Sequence, residues 1–289
     1  MTSINTESDF TVGFVGIGLI GGSIAKSIKQ NFKNSTIIAH NRSREPLNMA
    51  IAEGVVDIAA DNVGEEFSVC DFIFLCAPVE YNVMYLEKLK EHIKPDCILT
   101  DVGSVKGNIH IAAKEIGIEG NFIGGHPMAG SEKTRYESSS ATLLNNAYYI
   151  LTTTDKTKQS DIDKLNFLIS KTGAKSIVIG YDYHDYVVAA ISHVPHIIAS
   201  CLVNMVADND DSDETMKTVA AGGFKDITRI ASSSPEVWQQ ICSANSANIV
   251  KLIDKYITYL STVRNHLADN DSDYIFDMFE NSRSYRDSI

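Results

Sequence analysis

Three glycines, Gly16, Gly18 and Gly21, stand at G-x-G-x-x-G spacing. The first such glycine permits a tight turn, the second lets backbone approach a pyrophosphate, and the third lets helix and strand pack closely. The phosphates would then sit on unpaired N–H groups at a helix N-terminus. Context supports this reading. Apolar Val12, Phe14 and Val15 precede the turn, Ile20, Ile24, Ala25 and Ile28 follow at helical spacing, and a second strand is expected over 36–39. That strand ends at His40, where an NAD site usually places an acid for the ribose hydroxyls. Asn41 stands there instead, with Arg42, Ser43 and Arg44 behind it. Guanidinium groups and a hydroxyl suit a 2'-phosphate, so the sequence favours NADP over NAD. The bland alternative is a solvated loop in which Arg44 opens the next helix.

Other candidate residues are scattered. Ser104 follows an expected strand over 97–100, where it can cap the next helix and also sits at the edge where parallel sheets bind ligands. His126 is expected on a glycine-rich loop facing the cofactor crevice, and from spacing alone it is as readily structural as catalytic. His193 and His196 are three apart, but Pro195 between them and the lack of a third ligand argue against zinc. A polar, kinked edge of a substrate pocket with Ser192 fits better. Asp226 and Arg229 would share a helix face, either as a surface pair or as an arginine held to bind a carboxylate.

The elements that must position these groups are legible. Buried strands are expected over 69–77, 121–123, 147–152 and 176–179, with helices over 81–93, 104–116 and 158–172. Strands alternating with helices imply an α/β, Rossmann-type, mostly parallel sheet over 1–180, followed by an all-helical domain over 181–289. The run over 187–207 is apolar almost all round and reads as a buried core helix rather than a membrane span. Ser234 and Pro235 open a helix that could reach Leu267, with a stripe suited to a core or a subunit interface. Asp269, Asp271, Asp273 and Glu280 mimic a calcium loop, but Tyr274 occupies its glycine position, so an acidic cap and a final helix are expected.

At 289 residues the chain is long for one core. A net charge of -12, with no basic block, argues against nucleic acid and anionic membranes as partners. Five cysteines, with no C-x-x-C, suggest reduced thiols in the cytoplasm, and the first ten residues lack the features of a signal peptide.

Taken together, GIGLIGGS (16–23), DVGSVK (101–106), GGHPMAGSE (124–132), SHVPH (192–196) and GGFKDITR (222–229) resemble the prephenate dehydrogenase family, which includes arogenate and cyclohexadienyl dehydrogenases. The resemblance implies oxidative decarboxylation of a small anionic substrate with hydride transfer to NADP+ or NAD+, no metal, and a helical dimerisation domain giving a homodimer. It implies that Gly16, Gly18, Leu19, Ile20, Gly21, Asn41, Arg42, Ser43, Arg44 and Ser104 bind the cofactor. His126 would hydrogen-bond the C4 hydroxyl, with Ser104 supporting it. Arg229 would bind a substrate carboxylate, oriented by Asp226, while Glu132, Ser192, His193 and His196 would line the pocket; either histidine could donate to the keto oxygen of prephenate, His196 being favoured, so prephenate is expected to be used better than arogenate. Asn41 departs from the family's usual acid, and residues 1–289 are not expected to include the regulatory ACT domain that some relatives append. Rival readings are another two-domain hydroxyacid dehydrogenase and a non-catalytic NADP-binding sensor.

Overall fold

A computed structural model describes residues 8–129 and 135–289. Glu132 therefore lies outside the described residues. The chain divides into two compact units, one of residues 1–188 and 232–244 and the other of 189–231 and 245–289.

The first unit is built on β1 (Phe10–Val15), α1 (Leu19–Asn31), β2 (Ser35–His40), α2 (Arg44–Ala52), β3 (Ile58–Ala59), β4 (Phe72–Leu75), α3 (Val79–Lys90), β5 (Ile98–Asp101), α4 (Gly107–Ile116), β6 (Phe122–Pro127), β7 (Tyr148–Thr153), α5 (Gln159–Ser170), β8 (Lys175–Gly180) and α6 (Tyr181–Val188). The sheet runs β3-β2-β1-β4-β5-β6-β7-β8, parallel except where β7 meets β6. Alternation sorts its side chains. Val12, Phe14, Phe72 and Phe74 join one core cluster with residues of α1, α2 and α5, whereas Val15, Ile73 and Leu75 join another with residues of α3 and α4. Both faces are thus covered, as a parallel sheet requires. The order of strands reverses direction at β1 and β4, and such a switch point is where these sheets bind ligands.

Two local expectations change. His126 lies within β6, paired with Ile150 of β7, rather than on a loop. The neighbouring glycines that suggested a loop are there because Cβ atoms would collide with buried groups. At Gly125 the Tyr149 hydroxyl and the Thr100 Oγ1 would stand only 2.8 and 2.9 Å away. Ser104 is not the cap of α4, which starts three residues later; the Asp185 carboxylate accepts from the Lys106 and Gly107 N–H groups, both at 2.8 Å. A carboxylate at that end satisfies orphan donors and complements the helix dipole.

From α6 the helix continues through a π-helical turn, Ala189–His193, into α7 (Val194–Asn209). Pro195 cannot donate to the carbonyl one turn back, and the widened turn lies immediately before it. The continuous helix, Tyr181–Asn209, is long and apolar enough to cross a membrane, yet only 28% of its most apolar window is buried within the chain. It is therefore not the fully buried core helix that its sequence suggests, because residues such as Ile191 and Met205 are exposed. Next come α8 (Thr215–Val219), α9 (Gly222–Thr228), α10 (Pro235–Ala244), α11 (Ser246–Ala268) and α12 (Ser272–Arg286). The helix expected to reach Leu267 is broken at Asn245, whose φ of -120° and ψ of 25° leave the α region. Asn245 is buried, with its amide turned to His193 and Asn248. The acidic run before α12 is a cap, as expected, for the Asp271 side chain accepts from the Tyr274 N–H at 3.1 Å.

Candidate active site

The glycine turn and the end of β2 border a cavity of about 770 Å3, lined among others by Gly16, Gly18, Asn41, Arg42, Ser43 and Tyr81. Gly16 has φ +101°, and a Cβ there would stand 2.9 Å from the Cys76 carbonyl carbon and oxygen. Both the conformation and the space demand glycine. A Cβ on Gly21 would meet the Gly16 carbonyl oxygen at 2.5 Å, which explains the third glycine as a packing contact. Gly18 precedes α1, whose first turn has no side-chain cap and no acid. Leu19 and Ile20 open that helix. The cradle therefore fits a dinucleotide pyrophosphate, which would take the open N–H groups of α1.

Asn41 is held on both sides. Its Oδ1 accepts from the Ile17 N–H at 3.0 Å and its Nδ2 donates to the Ser43 carbonyl at 2.8 Å. An aspartate could make the first bond but not the second, so the uncharged amide belongs to the loop's own structure. Arg42 and Ser43 are exposed at the cavity rim. Arg44 opens α2 and forms an ion pair with Asp61, so the expected trio divides into two residues at the cavity and one engaged elsewhere.

Ser104 lies half-buried in the loop after β5. That loop is fastened from below. Lys106 and Asp101, both almost fully buried, form an ion pair, and the Lys106 Nζ also donates to the Gly125 carbonyl at 2.8 Å. Asp101 accepts from the Gly103 N–H at 2.9 Å and the Gly125 N–H at 3.1 Å. Burial pushes the Lys106 ammonium below its usual pKa, and the Asp101 charge opposes that fall. Gly125 immediately precedes His126, so one buried charge pair ties the Ser104 loop to the His126 strand.

His126 is buried, and its Nδ1 lies 2.8 Å from His184 Nε2. His184 Nδ1 in turn lies 2.8 Å from Asp185 Oδ1. The sequence reading missed His184, Asp185, Asp101 and Lys106. His184 and Asp185 are adjacent on a helix, where neighbours point apart, so their pairing has no sequence signature; the other two sit inside the DVGSVK motif without a role assigned.

In the second unit, Arg229 follows α9, with exposed Asp226 one turn before it. His196 Nδ1 lies 2.8 Å from the Ser192 carbonyl. Since a carbonyl only accepts, Nδ1 carries the proton and a neutral ring presents Nε2 as an acceptor. Burial, and to a lesser degree the Arg229 charge, lower the His196 pKa, while the Ser192 bond works against them. That corrects the expectation of a donor at His196. His193 is the opposite case: its Nδ1 takes the Asn245 amide at 3.2 Å, which leaves its proton on Nε2.

Family models for "Prephenate dehydrogenase, nucleotide-binding domain" and "Prephenate dehydrogenase, dimerization domain" match residues 24–178 and 181–281. The chain belongs to the prephenate dehydrogenase family. It is 36% identical over 281 residues to the prephenate dehydrogenase of Bacillus subtilis, covering 96% of this chain and 76% of that one. It is 28% identical to the cyclohexadienyl dehydrogenase of Zymomonas mobilis, across 95% of this chain and 94% of that one. Among solved structures, the Aquifex aeolicus prephenate dehydrogenase in complex with hydroxyphenyl propionate and NAD+ superposes with a TM-score of 0.91 at 29% identity, covering 98% and 99% of the two chains. The Synechocystis arogenate dehydrogenase gives 0.87 at 28%, covering 96% and 99%. Membership of the prephenate dehydrogenase family makes the chain a nicotinamide-dependent oxidoreductase with a dinucleotide-binding and a dimerisation domain.

Proposed function

We propose that this enzyme converts prephenate to 4-hydroxyphenylpyruvate and CO2 in tyrosine biosynthesis, with NADP+ preferred over NAD+. The observation that carries the cofactor preference is the rim of the cavity, where Asn41 is neutral and Arg42 and Ser43 stand beside it. The cofactor, when bound, accepts the hydride leaving substrate C4. Gly16, Gly18 and the start of α1 hold its pyrophosphate. Arg42 and Ser43 take the 2'-phosphate. Loss of the ring carboxylate as CO2 delivers an electron pair to the ring, and aromatisation makes the step strongly downhill. What remains for the protein is orientation and a base for the C4 hydroxyl. His126 is that base, supported by Ser104. Arg229 binds a substrate carboxylate, and His193, with its proton at Nε2, is the donor suited to the keto oxygen of the side chain. The enzyme acts in the cytoplasm as a homodimer, formed through the helical unit, where Ile191, Met205, Val250, Ile257 and Leu260 are exposed.

A second reading has its own support. Similarity to the arogenate dehydrogenase of Synechocystis and the cyclohexadienyl dehydrogenase of Zymomonas mobilis supports arogenate as a slower second substrate. Initial rates of reduced-cofactor absorbance with each substrate and each cofactor test both readings. Prephenate with NADP+ should have the highest kcat/KM. His126→Asn should lower kcat by about 10² to 10⁴, the usual contribution of a general base. Wild-type turnover in that variant would remove His126 from the mechanism.

A further inference from the structure

The pair His184 and Asp185 belongs to none of the motifs that carry the family resemblance, yet it sits directly behind His126. All three side chains are buried, with 8%, 0% and 5% exposure for His126, His184 and Asp185. We propose that His184 and Asp185 are positioning residues that fix the tautomer of His126 so that its Nε2 accepts the substrate hydroxyl proton. This rests on the reading of His126 as the base.

The argument follows the donors. Asp185 is anchored by the N-terminus of α4, its Oδ1 taking the Lys106 N–H and its Oδ2 the Gly107 N–H. A carboxylate so placed can only accept from His184, so the His184 proton is on Nδ1. Neutral His184 then presents a lone pair at Nε2, and His126 must donate to it through Nδ1–H. The lone pair of His126 is thereby left on Nε2. When Nε2 takes the proton, the new positive charge lies along a chain of hydrogen bonds that ends on Asp185. The carboxylate thus orients the base and stabilises its charged form, and the helix dipole of α4 holds the carboxylate.

Among the described residues, charged and titratable groups flank this chain on α4 and α6. Lys106, paired with Asp101, and His110 stand on or before α4, and Tyr181 of α6 stacks on His110 with centroids 4.6 Å apart. Burial, and then the Lys106 charge, push His110 down to about 3, so it carries no charge near neutral pH.

The test compares Asp185→Asn, His184→Phe and His184→Gln with His126→Asn, reading kcat, KM and the pH dependence of kcat. Thermal melting and NADPH fluorescence on binding check the fold of each variant. Asp185→Asn keeps an oxygen for the Gly107 N–H but puts an N–H2 on the side shared by His184 and the Lys106 N–H, reversing every donor up to His126 Nε2. Its kcat should fall by about 10² or more with KM near wild type. The acid limb of its residual activity should move to lower pH, because the protonated base loses its counter-charge. His184→Gln retains an acceptor for His126 Nδ1–H and should keep more turnover than His184→Phe. The proposal is overturned if Asp185→Asn and His184→Phe keep wild-type kcat while His126→Asn does not. It is overturned equally if kcat falls only in step with melting temperature and the acid limb stays put. If His126→Asn itself turns over normally, the reading of His126 has failed instead.

Discussion

Lys106→Met is the sharpest probe of how the Ser104 loop and the His126 strand are held together. The lysine is fully buried against Asp101, and its ammonium also donates to the Gly125 carbonyl beside His126. Removing one partner of a buried pair typically costs about 3–5 kcal/mol, because the other charge is stranded. Asp101 is only partly stranded, since it keeps the Gly103 and Gly125 N–H groups at 2.9 and 3.1 Å. The lower end, about 3 kcal/mol, is therefore expected, and at roughly 2–4 °C per kcal/mol for a domain of this size Tm should fall by about 6–12 °C. Asp101→Asn strands the lysine instead and should cost at least as much. The double variant Asp101→Asn with Lys106→Met, having no buried charge, should be more stable than the sum of the single losses implies. Calorimetric melts of the four proteins decide the matter. A Lys106→Met protein melting within about 2 °C of wild type would refute the reasoning, because a stranded buried carboxylate should cost more than that.

Two further outcomes are expected. Arg42→Ala should lower kcat/KM with NADP+ by about tenfold, the low end for a charged hydrogen bond at an exposed site, and leave NAD+ nearly unchanged; equal losses with both cofactors would remove Arg42 from 2'-phosphate recognition. Burial holds His110 neutral in the fold with a pKa of about 3 against the ordinary 6.5 of an imidazole, so its contribution to stability is present above pH 6.5 and is lost as pH falls toward 3. At pH 5 that is a loss of about 2 kcal/mol. His110→Phe should flatten the denaturation midpoint over this range, and an unchanged slope would count against a buried neutral ring.

The sequence by itself determined the dinucleotide turn, because glycine at Gly16 answers a demand of φ and space, and at Gly21 one of close approach, that no other residue meets. It also determined the alternating strands and helices of the sheet domain, since a strand covered on both faces must be apolar throughout. The final acidic cap was legible for the same local reason. His126 was found by its motif but placed on a loop, because its flanking glycines serve side chains of β5 and β7 that only the sheet brings near. Asp185 displaced Ser104 as the cap of α4 from 78 residues away, a distance at which no propensity operates. Asn245 broke a helix that its periodicity would continue, to meet a histidine 52 residues earlier. The direction of each histidine's proton was decided in the same way. A ring nitrogen donates or accepts according to what faces it, and for His126, His193 and His196 the partners are His184, Asn245 and the Ser192 carbonyl. Residue type supplies an imidazole; only tertiary structure chooses which of its two nitrogens accepts and which donates.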